Sequence, residues 1–224
     1  MDRIFNNNKN TESTITFTPK KPKIVCVLGE TCSGKDHVLK EALNRLPKKK
    51  KLRMVCSYAD RPMRDGETEG IEHYFISTEE FNKLKKEREN DILAYTHIKN
   101  DTDPNAQGYQ YMALVDELKN SQLYVIDPKG LQNLVDRHGD KYDIIPIYIH
   151  ASLEQRRERA KNTRSDYLTE FDKRVENEKA QFENFKKNKL YEYKIENGDG
   201  NFDHAVNRLM TILNFEFFKS YKII

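Results

Sequence analysis

Between Lys23 and Gly29 the chain reads Ile24-Val25-Cys26-Val27-Leu28, an unbroken apolar run. A short continuous run of this kind suits a strand buried on both faces of a parallel sheet. Val38, Leu39, Ala42, Leu43 and Leu46 follow at helical spacing, and Pro47 stops that helix. Leu52 to Ser57 reads as a second strand. Ser77-Thr78-Glu79-Glu80 is a capping box that opens a helix carrying Phe81 and Leu84. Asp91 to Ile98 is extended, and Asn100 to Gly108, with its Pro, Asn, Asp and Gly, is a loop. Leu123 to Asp127 is a strand whose following helix ends at Gly139 as a C′ residue. Ile144 to Ile149 is another strand, and Ser152 with Gln155 caps the next helix. A long helix spans about Asp166 to Lys187, with Leu168, Phe171, Val175, Phe182 and Phe185 near one face. Leu190 to Ile195 is the last strand and Phe202 to Phe215 the last helix. Strands alternating with helices imply βαβ units, hence an α/β fold: a three-layer arrangement with a parallel sheet between helices.

Composition narrows the picture. Residues Met1 to about Pro22 are polar, rich in Asn, Thr and Lys, and read as a disordered tail before one domain over 23–224. The chain is 37% hydrophobic and 33% charged, with a net charge of +3, too small by itself to argue for a nucleic-acid partner. The Lys48 to Lys51 run reads as a solvated turn after Pro47. No apolar run approaches the roughly 20 residues of a membrane helix, and the N-terminus lacks the apolar core of a signal peptide. Cys26, Cys32 and Cys56 are an odd count without metal-ligand spacing, which points to a reducing cytoplasm.

The strongest motif is Gly29-Glu30-Thr31-Cys32-Ser33-Gly34-Lys35-Asp36, set between the first strand and the first helix. Gly, four residues, then Gly-Lys is the phosphate-loop spacing. Glycines let the backbone N–H groups wrap a phosphate, the helix start adds its positive dipole end, and Lys35 reaches the β- and γ-phosphates. An ordinary βα turn is the other reading. The pattern asks for Ser or Thr after the lysine as a Mg²⁺ ligand. Asp36 stands there instead, and a carboxylate holds Mg²⁺ directly or through water.

After the second strand come Ser57, then Arg61-Pro62-Met63-Arg64-Asp65-Gly66-Glu67-Thr68-Glu69-Gly70, then the aromatic segment His73-Tyr74-Phe75. Two arginines three apart suit bidentate capture of a phosphate dianion, although paired arginines alone are more often surface ion-pair formers. With the loop upstream, this stretch resembles the signature of the guanylate kinase family. The resemblance runs on, more weakly, from Ile24 to about Leu213.

The resemblance implies a nucleoside monophosphate kinase with ATP as donor, Mg²⁺ as cofactor and a nucleoside monophosphate as acceptor. It implies an acceptor region over about 57–111 and a lid over about 159–174. Residues 29–36 would bind ATP, and Ser57, Arg61 and Arg64 the acceptor phosphate. Arg164 and Arg174 would clamp the phosphates beside Lys35, with Arg159 and Asn197 on the adenine side. For the three arginines, a charged helix face is the other reading. Asp127 matches the family's acidic residue near the Mg²⁺ water shell; a helix N-cap is its other reading.

The sequence also departs from the family. Where the family has a phosphate-binding Tyr stands His73, with Tyr74 next. Ala94 stands for the guanine-reading Glu, and Val125 for an Asp. The Tyr-Gly-Ser/Thr turn is missing, leaving Tyr109 or Tyr111 as nearby candidates. The expectation is a kinase of GMP, dGMP or another (deoxy)nucleoside monophosphate that favours GMP less than a typical member does. It would be a monomer or homodimer, with no nucleic-acid or membrane partner. The rivals are a guanylate-kinase-like binding module without catalysis and a kinase of another phosphorylated metabolite.

Overall fold

The computed structural model describes residues 21–64, 66–98, 108–162 and 167–218, the side chains of 167 and 169 excepted. Residues 1–20 of the expected tail, residues 100–107 of the expected loop and Arg164 lie outside the described residues, while Pro22 at the tail's end already accepts from the Asp143 N–H at 2.9 Å. In chain order the strands are β1 (Lys23–Leu28), β2 (Ser57–Ala59), β3 (His73–Phe75), β4 (Ile92–Ile98), β5 (Tyr109–Leu114), β6 (Leu123–Val125), β7 (Asp143–His150) and β8 (Tyr193–Glu196). The α-helices are α1 (Lys35–Arg45), α2 (Thr78–Glu87), α3 (Pro128–His138), α4 (Leu153–Lys161), α5 (Tyr167–Lys187) and α6 (Phe202–Leu213).

The first sheet is parallel throughout, in the order β6-β1-β7-β8. Its central strand divides its apolar run by the two-residue period of a strand. Val25 and Val27 join Val38, Leu39 and Ala42 of α1 and Val206, Leu209 and Ile212 of α6. Ile24, Cys26 and Leu28 join Leu131 and Leu134 of α3 and Phe182 and Phe185 of α5. Burial on that second face pushes the Cys26 thiol well up.

The second sheet, ordered β3-β2-β5-β4, is mixed: β2 pairs β3 in parallel, while β5 pairs β2 and β4 antiparallel. Phe81 of α2 packs with Ile92, Met112 and Leu114 on it. Leu93, Ala94 and Ala113 from the same sheet belong to the core cluster of the first sheet's second face. The two sheets therefore share a core, and a cleft opens between them at the C-terminal end of β1.

Several expected elements shift. The apolar stretch from Leu52 is not one strand. Met54 makes a single bridge to Leu123, and the strand begins only at Ser57, in the other sheet. The run is apolar because it passes the edge of the first sheet, Leu52 and Met54 packing on the α1 and α6 face and Val55 on the other. β8 starts at Tyr193 rather than Leu190, after a turn in which Lys189 takes φ 49°. Gly139 does follow α3, but in right-handed conformation (φ −63°). Its need is space, since a Cβ there would stand 2.7 Å from the Val135 carbonyl oxygen. Both capping boxes form, Ser77 with Glu80 and Ser152 with Gln155. No helix among the described residues is long and apolar enough to cross a membrane.

Phe185, fully buried, packs edge-on against Tyr148 and Phe182 under the first sheet. Phe185→Ala is expected to lose about 3–5 kcal/mol of stability, measured by denaturant unfolding.

Candidate active site

The loop after β1 is shaped by what cannot be added to it. A Cβ on Gly29 would stand 2.4 Å from Ser33 Oγ and 2.7 Å from the Ile149 carbonyl oxygen. Gly34 has φ +82°, and a Cβ on it would meet Asn197 Nδ2 at 2.5 Å. Cys32 adopts φ 61°, a left-handed conformation that curls the backbone ahead of α1. Lys35 opens that helix, with Nζ 3.2 Å from the Asp36 carboxylate. The attraction of Asp36 raises the Lys35 pKa, so the ammonium stays charged.

The side chains of the loop go to separate places. Glu30 is 3% exposed and turns inward: Tyr148 Oη donates to it at 2.7 Å, Lys186 Nζ at 3.0 Å, and Arg156 stands 3.9 Å away. Burial raises its pKa, but these donors and cations outweigh that and lower it overall. Thr31 donates its backbone N–H and its hydroxyl to Glu178 of α5, at 2.9 to 3.0 Å. Glu30 and Thr31, expected as phosphate contacts, thus commit their side chains to holding the loop. From behind, Arg159 donates to the Cys32 and Ser33 carbonyls, and Asn197 Nδ2 to the Ser33 carbonyl at 2.8 Å. Arg159, Asn197 and Gly34 also line a cavity of about 360 Å³ that reaches His37 and Phe202.

Across the cleft, Arg61 and Arg64 have different tasks. Arg61 is 4% exposed and fully engaged. Its two terminal nitrogens pair with both Glu67 oxygens at 2.7 Å, and its Nε donates to Tyr111 Oη at 2.9 Å. These partners make it a brace of the acceptor loop. Arg64 lines the cleft. Desolvation lowers its pKa, and Arg174 and Arg61 add to the effect.

The register of β2 and β3 sends His73 and Tyr74 to opposite faces. Ser57 lies opposite His73, and Ser57 Oγ shares a 2.8 Å hydrogen bond with His73 Nδ1; both line the cleft. Tyr74 projects to the other face and stacks on Tyr58 at 5.0 Å. Burial, with help from Arg61, lowers the His73 pKa to about 4, so the ring is neutral at pH 7.

The main cleft, about 400 Å³, brings Lys35, Arg64, Ser57, His73 and Arg174 together with Tyr109 and Tyr111. Ala94 and Val125 line its wall with Tyr124, Ile126 and Phe182. Asp127 lines it as well, and of its two expected roles the N-cap is formed. Its Oδ1 caps α3 by accepting from the N–H groups of Lys129 and Gly130. Its pKa is raised by burial against those hydrogen bonds. A buried carboxylate in that condition favours a cation nearby. Asp36 is paired with Lys35 and its side chain is 59% exposed. No cluster of three acidic, His or Cys side chains suited to a metal occurs among the described residues. A Mg²⁺ ion here would therefore rest on one or two carboxylates, water and substrate phosphates, its usual coordination.

Glu178, Arg156 and Glu67 were not singled out by the sequence. For Glu178 the signal was helical spacing from Arg174; for Glu67 it was proximity to the paired arginines. Nothing in the pattern marked Arg156 as buried.

The guanylate kinase family model matches residues 21–216. Among curated proteins, the guanylate kinase of Rhodopirellula baltica is 26% identical over 90% of this chain and 91% of its own length. Guanylate kinases of Symbiobacterium thermophilum and Thermobifida fusca are 39% and 40% identical, over 29% and 31% of this chain. The matched stretch spans about a third of the length of those two relatives, 30% and 34%. The crystal structure of guanylate kinase from Anaplasma phagocytophilum shares the fold, with a TM-score of 0.59, 22% identity, and coverage of 90% of this chain and 89% of that one.

The Arg61–Glu67 pair makes stability acid-sensitive. Burial pushes the Glu67 carboxyl up, but hydrogen bonds from Arg61 and the Arg64 N–H outweigh it and bring the pKa from 4.5 to about 2. A depressed carboxyl pKa contributes stability that is present above pH 4.5 and is lost as the pH falls toward 2. Thermal unfolding followed across that window is expected to show a steeper fall in Tm for the wild type than for Glu67→Gln.

Proposed function

The chain belongs to the guanylate kinase family, and from that premise we propose that it moves the γ-phosphate of ATP onto a nucleoside monophosphate, GMP and dGMP among them. The observation that carries this reading is the meeting of Lys35, Arg64 and Arg174 in one cleft beside the phosphate loop. Arg174 lowers the pKa of Arg64 and opposes the rise in that of Lys35. Arg64, whose pKa desolvation and Arg174 lower, is the cation here that an incoming polyanion stabilises most.

In this reading the loop and Lys35 hold the ATP phosphates, with the adenine toward Asn197 and Arg159. Arg64, Ser57 and neutral His73 receive the acceptor phosphate, while Arg61 holds their loop in place. Arg174 neutralises charge on the group in transit. Asp127, with Asp36 at the loop's end, would hold Mg²⁺ through water; the bound ion supplies further neutralisation of the β- and γ-oxygens. The acceptor phosphate is already an ionised nucleophile, so alignment and charge neutralisation suffice without a general base.

The apolar wall at Ala94 and Val125 supports weak reading of the base. Guanine offers N1–H and an amine as donors, and neither side chain accepts. Each missing charged partner is worth about 1.5–3 kcal/mol, and 1.4 kcal/mol is about tenfold in affinity. A binding module without catalysis has Asp36, Ala94 and Val125 in its favour, but it does not by itself call for three cations to converge on one cleft, where Lys35 pairs with Asp36 and Arg174 with Glu170.

Three measurements test the proposal. Lys35→Ala is expected to lower kcat about a hundredfold or more. Arg64→Ala is expected to raise the acceptor KM about tenfold with little change in the KM for ATP; an equal rise in both would assign the residue a structural role. A screen of ribo- and deoxynucleoside monophosphates with Mg-ATP is expected to find turnover without a thousandfold preference for GMP or dGMP. Absence of transfer to every monophosphate would overturn the proposal.

A further inference from the structure

We infer that Glu178 is a positioning residue that ties α5, the helix carrying Arg174, to the phosphate loop through Thr31; the inference rests on the kinase reading above. Thr31 is gripped by all of its polar groups. Its N–H donates to both Glu178 oxygens at 2.9 and 3.0 Å, and its hydroxyl to Oε2 at 3.0 Å. Its carbonyl accepts from Arg156 Nη1 at 3.2 Å, and the same nitrogen stands 3.2 Å from Glu178 Oε1. Arg156 comes from α4, so the two helices flanking residues 163–166 meet on a single residue of the loop.

The geometry separates a latch from a placeholder. A carboxylate on loop donors could be an anion that leaves when phosphate arrives. Glu178, however, is also paired with Arg156, whose side chain is 8% exposed. Leaving would strand that guanidinium with Glu30 at 3.9 Å as its remaining carboxylate. Glu178 therefore stays in place and transmits position. Arg174 lies four residues before it, on the same face of α5, and Arg174, Asn177, Glu178 and Gln181 line the same cleft. With Thr31 fixed to Glu178, the start of α1 at Lys35 and the guanidinium of Arg174 are held at one separation. Misplacing a reacting group by about 1 Å costs on the order of a hundredfold in rate.

The test is a double-mutant cycle on the full chain with Mg-ATP and the best monophosphate acceptor. Glu178→Ala is expected to lower kcat on the order of a hundredfold, and Glu178→Gln, which keeps an oxygen for the Thr31 N–H, about tenfold, with the KM for ATP changed less than about threefold. Arg174→Ala is expected to cost much less in the Glu178→Ala background than alone, because a misplaced Arg174 has little left to lose. Losses in kcat that simply add would overturn the inference, as would a lowered KM for ATP in Glu178→Gln, which is the signature of a placeholder. Thr31→Val removes only the hydroxyl arm and leaves Arg156 paired. It is expected to keep the wild-type Tm, lower kcat severalfold, and show the same non-additivity with Arg174→Ala, so loss of folding in Glu178→Ala does not decide the matter. An inactive wild type overturns the kinase reading and this inference with it; an active wild type with additive losses overturns this inference alone.

Discussion

Arg156 stands between two carboxylates, buried Glu30 of the phosphate loop and partly buried Glu178 of α5. One guanidinium cannot compensate two desolvated anions, so each carboxylate has a second set of partners. Glu30 takes Lys186 and the Tyr148 hydroxyl, and its pKa falls. Glu178 takes the N–H and hydroxyl of Thr31, and burial still leaves its pKa raised. Removing one member of a buried ion network exposes the others to an uncompensated charge at about 3–5 kcal/mol. The backbone of the loop is thus one of the groups that solvates this network by hydrogen bonds, and its shape is bound to the positions of α4 and α5.

That constraint explains a division of labour in the loop. Half of a phosphate-binding turn must face the ligand, and the other half must be held by the protein. Here Glu30 and Thr31 face the protein, and the Cys32 and Ser33 carbonyls are held from behind by Arg159 and Asn197. Gly34 and Lys35 are left at the helix start, where the dipole end and the ammonium face the cleft. The acceptor side repeats the pattern. Arg61 is consumed by Glu67 and Tyr111, and that rigid pair presents Arg64, three residues on, to the cleft. Two arginines that read alike in the chain thus differ in place: Arg61 braces the loop and Arg64 lines the cleft.

How much of this was legible follows the range of the forces involved. Period-two and helical patterning, capping boxes and the Gly-Lys loop are local, so the first sheet, α1, α2, α4 and the phosphate loop could be read directly. The second sheet was largely hidden. β3 is short and only half-buried, and the apolar stretch into β2 runs past the edge of the first sheet, which imitates one longer strand. Gly139 was read for its conformation, while the fold needed its small size against Val135.

The sequence by itself determined that a phosphate loop joins a buried parallel strand to a helix, and that paired arginines follow it, because residue types at fixed short spacings carry those features. Only the tertiary structure decided which arginine faces the cleft, that His73 and not Tyr74 shares it with Ser57, and that Glu178 grips Thr31 across 147 residues of chain. Those outcomes depend on strand register, on which side chains find a partner in the folded interior, and on burial, which sets the cost of every unpaired charge. None of these quantities exists until distant segments have packed together.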